Sequence, residues 1–176
     1  MPLRKIQQED LPLMLSWRNH PSVRSSMFSQ SVIKLDQHRA WFQRESEKET
    51  SLWLLYLDVE DNPAGVVYFT DMDRCSSNAF WGFYAAPGAK PGTGTRMGIE
   101  ALDHIFIEND FHKVNADVLD ANQRSHRFHR KLGFQTEGVF RDQHLGQEGY
   151  QNITRFGLLG SEWAGNREIF KSIYIL

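Results

Sequence analysis

Asn122, Ser125, His129 and Leu132 fall at i, i+3, i+7 and i+10 in Asn122-Gln-Arg-Ser-His-Arg-Phe-His-Arg-Lys-Leu-Gly-Phe134, which places them along one side of a helix. A polar stripe that ends in one apolar residue is not the pattern of a core-facing helix, so these side chains are candidates for chemistry. An imidazole with its ordinary pKa near 6.5 is able to exchange a proton near neutrality. The alternative is that His129 only packs or makes a hydrogen bond. His126 and His129 are three apart, as a pair of metal ligands on a helix can be, yet no third or fourth ligand follows at a sensible spacing, and no metal is expected.

A second chemical signal lies upstream, in Pro87-Gly-Ala-Lys-Pro-Gly-Thr-Gly-Thr-Arg-Met-Gly98. Glycine-rich backbone that feeds a helix start offers outward N–H groups and the positive end of the helix dipole, with no side chains to block an anion. Gly92-Thr-Gly94 suits a pyrophosphate, flanked by Lys90 and Arg96. Gly94-Thr95-Arg96 lacks the Gly-Lys-Ser/Thr of a nucleoside-triphosphate loop, and Met97 stands where a dinucleotide fingerprint needs its third glycine. On backbone chemistry alone, a plain surface loop remains the alternative.

Two further groups are candidates for proton transfer. Asp117 alternates with apolar neighbours in Val114-Asn-Ala-Asp-Val118, and a carboxylate on an otherwise buried strand suggests a cleft. Tyr68 sits in the apolar run Val66-Val-Tyr-Phe-Thr70 and is the second candidate base. Glu137 and Arg141 read as strand-edge charges. Cys75, the single cysteine, lies in a polar loop-like stretch with no histidine beside it and reads as an inert loop residue.

The elements that must position these groups are legible from punctuation and periodicity. Asp10 and Pro12 start a helix over Leu11–Arg18 that ends near Asn19-His-Pro21, because the residue before proline leaves the helical region. A second helix begins at Asp36 and carries His38, Trp41, Phe42 and Glu45 on one side. Leu52–Asp58 and Val66–Thr70 form a hairpin around the turn residues Glu60 to Gly65, and Ala79–Ala86 is a third strand. A helix over 96–109 buries Gly98, Ala101, Leu102, Ile105 and Phe106; strand Lys113–Leu119 and helix 122–132 follow, with Gly133 as the left-handed residue past the helix end. Phe134–Arg141 and Tyr150–Leu159 close the chain as strands around a glycine-containing turn, and the tail Ile169–Leu176 has an apolar face for the domain or a second subunit of a homodimer. A strand-loop-helix-strand crossover flanked by antiparallel hairpins predicts an α/β fold: one domain over 1–176, a mixed central sheet of about six or seven strands and about four helices.

Composition excludes several function classes. With 20 Lys+Arg against 22 Asp+Glu, nothing favours nucleic acid or an anionic membrane surface. No run approaches the length of a membrane span, the first ten residues lack an apolar signal core, and one cysteine fits a reducing compartment. A cytoplasmic protein is the expectation.

Taken with the helix from Asn122, the glycine loop resembles the GNAT N-acetyltransferases, over most of the chain. The family's loop pattern Arg/Gln-x-x-Gly-x-Gly/Ala is matched by Ala89-Lys-Pro-Gly-Thr-Gly94 except at Ala89, for which Lys90 would substitute. The resemblance implies acetyl-CoA as acyl donor, with its pyrophosphate on Lys90, Pro91, Gly92, Thr93, Gly94 and Thr95. The pantetheine arm would lie along Phe83, Tyr84 and Ala85, with further contacts from Asn122, Ser125, Phe128 and His129. His129 replaces the tyrosine that many members carry near the thioester sulfur and would be the general acid; an N–H of the strand at 83–85 would stabilise the oxyanion.

Within the family, Trp17-Arg-Asn-His-Pro21, Met27-Phe28, the segment from Lys34 to Phe42 and Phe80-Trp-Gly-Phe-Tyr84 resemble the sugar-nucleotide N-acetyltransferases of pseudaminic acid biosynthesis. That implies transfer to the 4-amino group of a UDP-linked 4-amino-4,6-dideoxy sugar. Met27, Phe28, Phe42 and Trp81 would form an apolar slot, Arg18 or Arg24 would meet the phosphates, and Asn19 and His38 would complete the acceptor site. A protein or peptide N-terminus as acceptor, and a non-catalytic acyl-CoA sensor, are the competing readings.

Overall fold

The computed structural model describes residues 2–174, so the last two residues of the apolar tail lie outside the described residues. Seven strands form one mixed sheet in the order β1-β2-β3-β4-β5-β7-β6. The strands are β1 (Leu3–Lys5), β2 (Leu52–Leu57), β3 (Pro63–Asp73), β4 (Asn78–Ala85), β5 (Lys113–Leu119), β6 (Gln135–Gly146) and β7 (Gly149–Leu159). The six helices are α1 (Leu11–Asn19), α2 (Pro21–Arg24), α3 (Leu35–Ser46), α4 (Thr93–Asp103), α5 (Gln123–Lys131) and α6 (Gly160–Tyr174). Only β4 and β5 run parallel, joined by the α4 crossover; the other neighbours are antiparallel. The α/β expectation holds, with two more helices than the sequence suggested.

Period-two alternation sorts the strand residues onto two faces. Ala79 and Trp81 of β4, Val67 and Phe69 of β3 and Val114, Ala116 and Val118 of β5 join Met97, Ile99, Leu102 and Trp163 in the larger core beneath α4 and α6. The opposite parity, with Tyr84 of β4, Val66 of β3 and Leu55 of β2, packs on Leu11, Met14, Trp17 and Val23 from α1 and α2. The chain thus builds one core on each side of the sheet, and the sheet itself carries the site.

Several boundaries move. α4 starts at Thr93 rather than Arg96, so Thr93 to Thr95 are the first turn of the helix and not a loop before it. Beyond Asp103 the winding loosens to a π turn over His104–Glu108. Residues 169–174 of the apolar tail belong to α6, which docks on α4: Trp163 is buried and donates its Nε1–H to Asp103 Oδ1 at 2.9 Å, Arg167 adds two hydrogen bonds at 3.0 Å and Lys171 a further ion pair. Ile169 and Ile173 of this helix stay exposed.

Candidate active site

The parallel pairing of β4 and β5 lasts three residues, Asn78↔Lys113 to Phe80↔Asn115, although both strands continue. The buried Asn115 donates its Nδ2–H to Ala79 O at 3.3 Å at the point of divergence. Past this fork, β4 keeps β3 on one edge, as far as Ala85↔Gly65, and has no strand on the other among the described residues. Phe83, Tyr84 and Ala85, the residues expected to meet a pantetheine arm through their main chain, lie on this open edge. An extended, amide-bearing ligand can add itself there as a strand would.

Below the fork the chain turns into α4 through Gly92, whose φ of +89° is the left-handed region that a glycine adopts without a steric cost. Thr93 N and Thr95 N are bonded to Lys90 O and Gly92 O, whereas the amides of Gly92 and Gly94 have no protein acceptor among the described residues. A Cβ at either glycine would meet no protein atom within 4 Å. The helix start therefore presents two free N–H groups in open space, at the positive end of an eleven-residue helix. The residues fit a pyrophosphate.

The side chains around this helix start differ from expectation. Lys90, expected on the phosphates, pairs with Glu60 at 2.6 Å on the surface. Lys131, which the sequence did not single out, is brought back by α5 and donates to Thr95 Oγ1 at 3.2 Å, its ammonium 4.1 Å from the Tyr174 ring centroid. Arg96 Nε–H donates to Tyr174 O at 2.9 Å. Lys131 is thus the cation that the fold places on the first turn of α4, and the sequence hid it because 36 residues separate it from Thr95.

His129 does not sit as a general acid. It is 3% exposed, stacked on Phe156 and edge-on to Trp81, Phe128 and Phe134. Its Nδ1–H donates to Ser125 O at 2.8 Å, which leaves Nε2 as a bare acceptor, buried and without a partner. Burial, reinforced by His126 and only partly opposed by the Ser125 bond, pushes the imidazole down to about 4. At neutral pH it is an uncharged ring in an aromatic cage with no proton at Nε2 to give. Phe128 packs on Phe83 at 4.5 Å and belongs to the same cage. Asn122 accepts Ser125 N–H at 3.0 Å and caps α5, while Ser125 Oγ lies 3.3 Å from His129 Nδ1. His126 is buried with Nε2 on Leu119 O at 3.2 Å, and no group of three metal-binding side chains occurs among the described residues.

Asp117 and Tyr68 are likewise corrected as bases. Asp117 faces Arg155 across β5 and β7, and the guanidinium holds both its oxygens in a two-point ion pair, so the carboxylate is already neutralised. Tyr68 is stacked on Trp53 with centroids 4.3 Å apart, and burial raises its phenol above the ordinary value of 10, against a smaller opposing effect of Arg18. A phenol of this kind is a hydrogen-bond donor and not a base. Its hydroxyl crosses β4 at Gly82, where an added Cβ would lie 2.2 Å from it; only glycine leaves that room. Tyr68 therefore reaches the fork.

The expected acceptor residues divide in two. Trp81 is 5% exposed and packs at 5.3 Å on Phe134, on the face opposite the slot. Asn19 uses its whole amide on Ile33, donating to the carbonyl at 2.8 Å and accepting the N–H at 2.9 Å, so it fastens the loop after α2 rather than facing a ligand. Met27 and Phe42 pack on the smaller core. Phe28 is exposed and meets His144 of the β6–β7 hairpin edge-on at 5.4 Å.

Arg18 is the exception. One nitrogen, Nη2, donates to Ser29 O at 2.7 Å; the other, Nη1, is buried and has no partner. The charged groups and phenols it senses are Tyr84, Tyr68 and Arg24, with no carboxylate among them, and burial lowers its pKa. His38 beside it is buried, stacked on Trp41 at 5.1 Å, with Nδ1 unpartnered and its pKa lowered by burial and by Arg18. A half-buried cation with a free donor and no carboxylate bonded to it among the described residues has the chemistry to receive a negative group.

Residues 1–135 match the family model described as acetyltransferase (GNAT) domain. The chain is 29% identical over 171 residues to the SPbeta prophage-derived uncharacterized N-acetyltransferase YokL of Bacillus subtilis (strain 168), covering 94% of this chain and 93% of that protein. It is 20% identical over 169 residues to the spermidine N(1)-acetyltransferase of Vibrio cholerae, covering 96% and 98%. The solved structure of the Vibrio cholerae spermidine N-acetyltransferase in complex with CoA and spermine superposes with a TM-score of 0.85 at 20% identity, over 92% of this chain and 96% of that one. With a forked sheet, a free-amide helix start and a family match over three quarters of its length, the chain belongs to the GNAT acetyltransferase family and is an N-acetyltransferase whose acyl donor is acetyl-CoA.

Proposed function

We propose that the acceptor is a primary amine on a molecule that also carries phosphate, of the kind formed by the 4-amino group of a UDP-linked amino-dideoxy sugar. The observation that carries this reading is Arg18, a half-buried guanidinium with an unpartnered Nη1 and no carboxylate bonded to it among the described residues. Arg24 adds a second positive charge on the same side. A phosphate would satisfy these cations, whereas a polyamine, the acceptor named for the Vibrio cholerae relative, would meet like charge there.

Tyr68 supplies the proton transfer that His129 does not. The amine nitrogen bonds to the thioester carbon, the carbon–sulfur bond breaks, and the sulfur leaves as a thiol. As the Tyr68 hydroxyl gives its proton to the departing sulfur, the surplus proton on the attacking nitrogen replaces it. No net charge is left on the phenol, which suits a group whose ionisation is opposed by burial. Amides on the edge of β4 that β5 leaves unpaired beyond Phe80 would receive the carbonyl oxygen.

The test is free-thiol release from acetyl-CoA with the UDP-4-amino sugar, with the acetylated product identified by mass. Arg18→Ala is expected to raise the KM for this acceptor at least tenfold and to leave the KM for acetyl-CoA unchanged. Absence of turnover with authentic substrate, or an acceptor KM indifferent to Arg18, overturns the reading.

A further inference from the structure

Trp53 of β2, Tyr68 of β3 and Gly82 of β4 are cross-strand partners in register, Trp53↔Tyr68 and Tyr68↔Gly82, so their side-chain positions form one row on one face of the sheet. The row runs towards the fork, because the pairing of β4 with β5 stops at Phe80, just before Gly82. Trp53 lies nearly parallel to the Tyr68 ring, at 22° with centroids 4.3 Å apart. Trp41 of α3 meets Trp53 edge-on, at 87° and 4.5 Å, and His38, one turn earlier in α3, stacks on Trp41. The Nε1 of Trp53 is buried without a partner, so packing and not a hydrogen bond holds the indole. At the other end of the row, the three atoms nearest to a Cβ built on Gly82 are Cζ, Cε2 and the hydroxyl oxygen of Tyr68. Gly82 is not one of the positive-φ glycines, so its backbone is open to any residue and the phenol alone excludes a side chain.

From this row we infer that Trp53 and Gly82 are positioning residues for the Tyr68 hydroxyl. The inference rests on the proton transfer assigned above to Tyr68 and names what sets the place of its oxygen. A phenol oxygen lies in the plane of its ring, so whatever fixes the ring fixes the donor, and a misplacement of about 1 Å in a reacting group can cost about 10²-fold in rate. The two residues act from opposite sides. The stacked indole limits the rotation of the ring and keeps it from swinging back over β2, while the bare Gly82 lets it lie across β4 to the edge that β5 leaves open. A side chain at 82 displaces the phenol; a smaller residue at 53 releases it. α3 takes part through Trp41, which backs the indole, so the helix that carries His38 also braces the proton donor. Neither positioning residue belongs to the helix start of α4 or bonds to Arg18, so their loss falls on kcat and not on either KM.

Kinetics of variants, each first shown to melt as a folded protein, test this. Thiol release from acetyl-CoA is measured with the UDP-4-amino sugar, or with spermidine if the wild type does not turn the sugar over. Gly82→Ala and Trp53→Leu are expected to lower kcat by about tenfold or more and to keep both KM values within about twofold. Trp53→Phe, which restores a stacking ring, is expected to recover most of the loss. In a Tyr68→Phe background no hydroxyl remains to be positioned, so Gly82→Ala and Trp53→Leu should each change kcat by less than about twofold. Additive losses in that background, a wild-type kcat in Gly82→Ala or Trp53→Leu, or a Trp53→Phe as slow as Trp53→Leu overturns the assignment; where Tyr68→Phe is itself slow, the proton transfer stands without it. An unchanged kcat in Tyr68→Phe, or a wild type that acetylates neither amine, removes the proton transfer and the positioning with it. If Gly82→Ala does not fold, the two Trp53 variants decide alone.

Discussion

At the scale of single residues, the decisive finding is a histidine that the fold takes out of proton chemistry. His129 is neutral in its aromatic cage, with its pKa pushed down to about 4 from an ordinary value near 6.5. Between those values the unfolded chain takes up a proton that the folded one refuses, so stability is complete above pH 6.5 and falls by up to ~3 kcal/mol as the pH drops through 4. His129→Phe should flatten that acid limb in chemical denaturation at pH 4 to 7 and keep kcat within about threefold; a hundredfold loss of kcat in a variant stable at pH 7 would return the proton to His129. Tyr68→Phe is expected to lower kcat by about 10²-fold with little change in either KM, the range of a lost proton donor; an unchanged kcat would exclude the phenol from the relay. The sequence brought both residues forward but not their surroundings. Phe83 of β4, Phe128 of α5 itself, Phe134 just before β6 and Phe156 of β7 surround His129, and a helical stripe cannot report what packs against it. Trp81 was misread for a related reason: Ala79-Phe-Trp-Gly-Phe-Tyr-Ala-Ala86 is apolar throughout, so its alternation carries no signal of which residues face which side.

At the scale of elements, the site is a fork between two parallel strands with a helix start beneath it. The glycine stretch, the crossover and the left-handed Gly133 at +93° after α5 were all legible, because each depends on local punctuation. The three-residue β1 carries too little pattern to be found, and α6 follows β7 without a break, its one strong signal being Trp163. The clamp that holds α6, Asp103 with Trp163, Arg167 and Lys171, spans more than sixty positions and has no local signature. Burial alone would raise the Asp103 carboxyl, yet the hydrogen bonds from Arg167, Lys171 and Trp163 outweigh it and hold the pKa below its usual value. The two loop glycines make separable predictions. Gly92→Ala puts a side chain into a left-handed conformation and should destabilise by ~1 kcal/mol. A Cβ at Gly94 meets no protein atom, and Gly94→Asp sets a carboxylate near the free amides, so the KM for acetyl-CoA should rise at least tenfold with the melting temperature nearly unchanged. A Gly94→Asp enzyme with normal acetyl-CoA kinetics would move the pyrophosphate elsewhere.

At the scale of the whole molecule, two cores pack on opposite faces of one sheet, and the β4–β5 fork opens in that sheet between them. Acetyl-CoA at a hundred times its Kd should stabilise the fold by ~2.7 kcal/mol and raise the melting temperature by about 5–10 °C, as read by differential scanning fluorimetry. No shift at that concentration would deny the fork its ligand. On the proposed reading electrostatics selects the acceptor: the overall charge of -2 is nearly neutral, so selectivity would rest on where single cations stand, and Arg18 keeps one donor, Nη1, without a partner. The most direct measurement is therefore the ratio of kcat/KM for the UDP-4-amino sugar to that for spermidine, taken by thiol release under identical conditions. A ratio of about a hundred or more in favour of the sugar nucleotide, falling towards one in Arg18→Ala, is the predicted result; a ratio below one in the wild-type protein contradicts the account.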